Sequence, residues 1–173
     1  SGKRAESGGI MKVDRNAELG TRLEELFGKI FNREKVEKVL VEEMVEIERE
    51  YYLSFSYSTE TRGSVMTFGE GGSAVEKKDT TKTYPMELNS QLHLEGIIPE
   101  KLADAVQKLW EVFTKYDCEL AEINPLVMDK NGKIWALDSK VILDDDGDFR
   151  REIKFPERNL FGRASTEREI AAR

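Results

Sequence analysis

The sequence predicts an α+β lobe, an antiparallel sheet with helices packed on one face. Three observations carry that expectation. Two segments, 19–30 and 102–113, repeat apolar residues at helical spacing. Other runs alternate large apolar with small polar residues, most clearly 50–58, EYYLSFSYS. Turn-forming sequences separate these runs, and no internal repeat is present. A chain of 173 residues fits one domain or two small lobes. At that length roughly 70 % of the unfolded surface can be buried.

The elements follow in order. Residues 1–12, SGKRAESGGIMK, are basic and glycine-bearing and read as a loop. Leu19, Leu23, Leu26, Phe27 and Ile30 then share one helical face, with Asn16 as the expected N-cap. Three strand candidates come next: 38–43 (KVLVEE), 50–58 and 64–68 (SVMTF), the last two joined through 59–63 as a hairpin. Residues 69–98 lack regular patterning, and KKDTTKT within them reads as a solvated run. Pro99 opens a strong helix to about Tyr116, with Leu102, Val106, Leu109, Trp110 and Phe113 as its stripe. Burying each of these contributes about 1.5–3 kcal/mol before entropy is counted. Residues 119–128 and 133–141 are strands around the turn Asp129-Lys130-Asn131-Gly132, and a charged tail starts at Asp144.

Composition narrows the chemistry. Lys and Arg number 27 against 34 Asp and Glu, a net charge of −7. That field argues against nucleic acid or an anionic membrane surface as partner. No apolar run approaches the roughly 20 residues of a membrane helix. The single cysteine, Cys118, allows no internal disulfide and fits a reducing compartment, cytoplasm or organelle matrix. One histidine, His93, and one cysteine cannot build a structural zinc site. His93 reads as a surface or loop residue, Cys118 as a small buried hydrophobe, and Trp110 and Trp135 as core. The run 144–148, DDDGD, lacks the bidentate glutamate of a calcium loop and reads as a solvated acidic turn. The chain opens on Ser1-Gly2 rather than methionine and is expected to be a piece of a longer protein.

The segment 119–140, ELAEINPLVMDKNGKIWALDSK, carries the chemistry. A two-residue Asn-Gly turn would set Asn124 opposite Ser139. A three-residue loop closed by Gly132 in the left-handed region pairs Asp129 with Lys133, so that partner numbers sum to 262. The second register suits Asp at the turn start and Gly at its end. It sets Asn124 opposite Asp138 and Glu122 opposite Lys140, all on one face. An amide oxygen beside a carboxylate is a small hard-oxygen site, and two protein ligands suffice for Mg²⁺ completed by waters and phosphate oxygens. The plain alternative is the polar outer face of an ordinary hairpin. Glu42 and Glu50 sit at strand ends, where carboxylates are commonly just solvated, although a glutamate can also accept from ribose hydroxyls or an adenine amino group.

Glu122-Ile123-Asn124-Pro125-Leu126-Val127 followed by Leu137-Asp138 resembles the ATP-grasp nucleotide site of succinyl-CoA synthetase β subunits and their citrate-using relatives, ATP-citrate lyase and citryl-CoA synthetase. The run from Leu40 to Leu53 resembles the segment between that family's two nucleotide-binding lobes, and Glu70-Gly71-Gly72 its strand-end EGG. Residues 155–163 are more similar to the citrate-using branch. The resemblance implies an ATP-grasp-type lobe in which Asn124 and Asp138 bind Mg²⁺ and Glu42 and Glu50 hold the nucleotide, ATP or GTP. Aligned with the family's GRGKAGG loop, Lys3 and Arg4 would contact phosphates; Glu6 falls where a lysine is usual. It further implies residues 1–150 as an N-terminally incomplete nucleotide-binding portion, and 151–173 as a charged tail leading to a ligase domain. The parent would be an acid–CoA ligase passing phosphate to a histidine on an α-type CoA-binding subunit or domain. The chain alone is expected to be inactive. The alternative is a non-catalytic nucleotide-binding or subunit-interaction lobe.

Overall fold

A computed structural model describes residues 8–31, 34–71, 80–88 and 92–153. Among them are helices α1 (Leu19–Phe27) and α2 (Ala103–Lys115) and strands β1 (Ile30–Phe31), β2 (Glu34–Lys35), β3 (Ile47–Ser58), β4 (Gly63–Glu70), β5 (Thr81–Met86), β6 (Cys118–Asp129), β7 (Ile134–Ala136) and β8 (Ser139–Leu143). The main sheet runs in the order β5-β4-β3-β6-β7, with β8 also paired to β6. The α+β class is thus as the sequence predicts. The chain divides into two compact units.

The first unit comprises Ser1–Leu53, Thr67–Thr83 and Ile123–Asp138. Its helix α1 is shorter than the periodicity predicts. Leu26 is buried and Leu19 and Leu23 are half-buried, but Phe27 is 40 % exposed. Ile30 lies past Gly28 in β1 and is exposed. Asn16 is not the N-cap; it opens a 3-10 turn (Asn16–Glu18) whose preceding residue is Arg15. The Glu18 N–H closes the turn on the Arg15 carbonyl at 2.9 Å, and Arg15 Nε donates to Glu18 Oε1 at 3.0 Å in place of an amide cap. Residues 38–43 form no strand: a strand exists only where a ladder partner takes its N–H and C=O groups, and none does so among the described residues. On β3 and β4, Tyr51 stacks on Phe68 at 5.7 Å between ring centroids.

The second unit comprises Ser54–Met66, Tyr84–Glu122 and Ser139–Arg173. Its core is the α2 stripe as the sequence predicts, with Val106, Leu109, Trp110 and Phe113 all buried. Phe55 of β3 meets Trp110 and Phe113 at ring-centroid distances of 5.0 and 6.0 Å. A 3-10 turn (Glu100–Leu102) follows Pro99 and leads into α2. Ser64 Oγ donates to the Met86 carbonyl at 2.7 Å. Cys118 opens β6, buried, and burial pushes its thiol pKa up. His93 is exposed.

Two expectations are corrected here. Residues 81–86 are a strand, β5, at one end of the sheet order. An edge strand keeps one face and one side in water, so its polar composition hides it, and Pro85 is tolerated there. The run 144–148 is no merely solvated turn. Asp144 caps a 3-10 helix (Asp145–Arg150) by accepting from the Asp146 N–H at 2.9 Å. Arg150 donates twice to the Asp117 carboxylate, each at 2.8 Å, and holds its pKa below the usual range. Arg151 donates to the Asp144 carbonyl at 2.6 Å and to Asp148 at 3.2 Å. Gly147 fits because a Cβ there would stand 2.8 Å from Asp117 Cβ.

Candidate functional site

The hairpin of β6 and β7 is built from its turn outward. The Asp129 N–H donates to the Lys133 carbonyl and the Gly132 N–H to the Asp129 carbonyl, both at 2.9 Å, with Gly132 at φ 80°. Glycine takes that left-handed conformation without steric cost. The buried Asp129 carboxylate accepts from the Asn131 and Lys133 N–H groups at 2.8 and 2.9 Å, and from Trp135 Nε1 at 2.9 Å. These donors, the indole first, hold its pKa below the usual carboxylate range. Trp135 is therefore only half-buried, a hydrogen-bonding strut and not the core residue expected, and Lys133 Nζ lies 3.7 Å from its ring centroid.

The pairing that follows is the one the spacing predicts. Met128 faces Ile134, Val127 faces Trp135 and Leu126 faces Ala136, each pair summing to 262. The same count sets Asn124 opposite Asp138, where the Asn124 N–H donates to the Asp138 carbonyl at 3.0 Å. Asn124 is half-buried and Asp138 exposed. The predicted second strand is interrupted: β7 stops at Ala136 and β8 begins at Ser139, so Leu137-Asp138 lies between them. Glu122 is half-buried and Lys140 exposed. An amide and a carboxylate at facing backbone positions are the kinds of oxygen donor that a hard cation such as Mg²⁺ takes. No cluster of three or more His, Cys, Asp or Glu suited to a metal occurs among the described residues.

Glu42 and Glu50 are not at strand ends as expected. Glu42 lies exposed in the strandless segment before β3 and lines a shallow groove with Met11, Leu23, Leu26, Val39 and Leu40. The groove encloses ≈ 120 Å³. Ligand pockets run to roughly 300–1,000 Å³, so the part of this groove formed by the described residues is smaller than a typical ligand pocket. Glu50 is half-buried within β3, and its carbonyl accepts from the Gly71 N–H at 3.0 Å. Lys3 and Arg4 lie outside the described residues. Glu42, Glu50, Asn124 and Asp138 all belong to the first unit.

Two contacts near these residues escape sequence reasoning. Lys29 Nζ donates to the Gly8 carbonyl at 2.9 Å, fixing the chain within the glycine-bearing segment. Lys130, in the hairpin turn, pairs with Glu46 at 3.1 Å, and its N–H donates to the Glu46 carbonyl, also at 3.1 Å. The only signal for the second is the opposite charge of two residues 84 positions apart, and no local period reveals it.

Residues 1–83 match the ATP-grasp domain family. The chain is 35 % identical over 167 residues to the succinate–CoA ligase [ADP-forming] subunit beta of Methanocaldococcus jannaschii, covering 86 % of this chain and 46 % of that one. It is 31 % identical over 190 residues to the protein of the same name from Desulfurococcus amylolyticus, covering 99 % and 49 %. The chain thus spans about half the length of the curated relatives it matches. Among solved structures, ATP citrate lyase from Methanothrix soehngenii in complex with citrate and coenzyme A superposes with a TM-score of 0.59 at 23 % identity. That match covers 90 % of this chain and 40 % of the other and is a likeness of fold. The chain thus matches the ATP-grasp domain family over residues 1–83, is similar in sequence to succinate–CoA ligase β subunits, and is like an ATP citrate lyase in fold.

Proposed function

We propose that this chain is the nucleotide- and Mg²⁺-binding portion of an acid–CoA ligase resembling the succinyl-CoA synthetase β subunit. The observation that carries the reading is the hairpin register, which brings Asn124 and Asp138 to one level in the unit that also holds Glu42 and Glu50. Asn124 and Asp138 would hold the metal, Glu42 and Glu50 the sugar and base, and Lys3 and Arg4 the phosphates. Mg²⁺ supplies neutralisation of phosphate charge when bound. The residues themselves bind and orient ATP or GTP. The phosphate acceptor would be a histidine on an α-type CoA-binding partner subunit or domain, en route to an acyl-CoA thioester. Nucleic acid and membranes are not partners in this reading; no helix among the described residues is long and apolar enough to cross a membrane. The setting proposed is cytoplasm or an organelle matrix.

The test is calorimetric titration of the purified chain with ATP and GTP, each with Mg²⁺ and with EDTA. Wild type is expected to bind more tightly with Mg²⁺. Asp138→Ala should lose that Mg²⁺ advantage, a loss of about tenfold or more, equivalent to roughly 1.4 kcal/mol. Leu126→Val, a core trim costing about 0.5–1.5 kcal/mol of stability, should keep it. An undiminished Mg²⁺ advantage in folded Asp138→Ala would remove the metal assignment.

A further inference from the structure

The inference rests on the reading of Glu50 as a nucleotide-site glutamate and concerns what holds Glu50 in place. Gly71 follows the last residue of β4 and lies against β3. Its N–H donates to the Glu50 carbonyl at 3.0 Å. A Cβ on Gly71 would stand 2.7 Å from Tyr51 N and closer still to Tyr51 C and O. These are backbone atoms on a central strand, so no side-chain rotation relieves the contact. Gly71 is not among the glycines with positive φ, Gly8, Gly96 and Gly132. The position therefore requires glycine for space and not for backbone conformation. One small residue both presses on Tyr51 and donates to the carbonyl of Glu50, gripping the peptide that joins them.

We propose that Gly71 is a positioning residue: through its hydrogen bond and close approach at the Glu50–Tyr51 peptide, it fixes Glu50 for nucleotide binding. Any side chain at 71 pushes the β3 backbone away at the point where Glu50 is anchored. Binding groups tolerate displacements of only about 0.5 Å before affinity falls. Gly69 supplies the control. It lies two residues back on β4, and its Cβ would meet Thr80 and Thr81 backbone, with Thr81 Cα at 2.7 Å. A methyl group there strains the strand comparably but on the side away from Glu50.

The experiment measures Mg-ATP affinity and melting temperature for wild type, Glu50→Ala, Gly71→Ala, Gly69→Ala and the Glu50→Ala/Gly71→Ala pair, each corrected for folded fraction. Gly71→Ala is expected to weaken binding about tenfold or more, as small misplacements of binding groups do. Gly69→Ala should stay within about twofold despite a similar fall in melting temperature. In the Glu50→Ala background, Gly71→Ala should add no further loss, because both changes remove one contribution. Replacing the Gly71 N–H by an ester oxygen adds no Cβ and removes only the hydrogen bond, so it tests the proposal even if Gly71→Ala does not fold; weaker Mg-ATP binding is expected. Equal losses from Gly69→Ala and Gly71→Ala, additive losses in the pair, or unchanged binding in the ester would each overturn the positioning role. If Glu50→Ala binds as wild type does, the nucleotide assignment of Glu50 falls first and this inference falls with it.

Discussion

Asp129 shows how much one side chain decides. It starts the turn, accepts three hydrogen bonds and orients Trp135, so the register that aligns Asn124 with Asp138 depends on it. Its pKa is lowered in the folded chain, relative to about 3.9 in an unfolded one. A group with a depressed folded pKa stabilises fully above the unfolded value, and that stability is lost as the pH falls towards the folded one. Asp129→Ala is expected to lower the melting temperature by roughly 4–8 °C at pH 7. The gap from wild type should narrow as the pH is lowered below about 4. Thermal scans across that range check it; a gap independent of pH would assign the effect to packing alone. The roles of Asp129 and Gly132 in the turn were legible in the sequence, because turn chemistry is local. The Trp135 hydrogen bond was not, since an indole in an alternating strand reads as core until its donor is seen to have a partner.

At the scale of elements, the two apolar stripes predicted from the sequence are buried to different extents. Phe113 of α2 is 1 % exposed among Phe55, Tyr57 and Trp110, whereas Phe27 of α1 is 40 % exposed. Phe113→Ala should destabilise by about 3–5 kcal/mol, and Phe27→Ala, at a partly covered position, by about 1–2 kcal/mol. Urea unfolding of the two variants checks this; comparable costs would contradict the burial difference. Periodicity reports which residues share a face, but not whether anything covers that face. The same blindness explains the strand wrongly expected over 38–43 and the missed β5. Pairing is a property of two segments, and neither run carries its partner in its own pattern. The hairpin of β6 and β7 was readable because its partner lies only a turn away.

For the whole molecule, the likeness to the ATP-grasp domain family was legible in the ordered motifs. The division into two units was not, because each unit draws on three separate stretches of chain. No composition shift marks such boundaries, which are made by the folding of distant segments on one another. Glu50 was singled out by the resemblance alone. The grip of Gly71 on the Glu50–Tyr51 peptide joins positions 21 apart, which no local pattern reveals.

The salt-bridged knot at Asp117 also sets where the second unit can be shortened. The doubly hydrogen-bonded Arg150 closes a span of 33 residues, and the Arg151 side chain is 3 % exposed. Residues 144–151 are therefore a clasp on the start of β6, although their acidity makes them look like the beginning of a dispensable tail. A chain ended after Leu143 would leave the Asp117 carboxylate without its cation and uncover the surface beneath Arg151. It should be cleaved faster by trypsin and melt at a lower temperature than a chain ended after Ile153. Limited proteolysis of both checks this, and equal resistance would show that the clasp is ornamental.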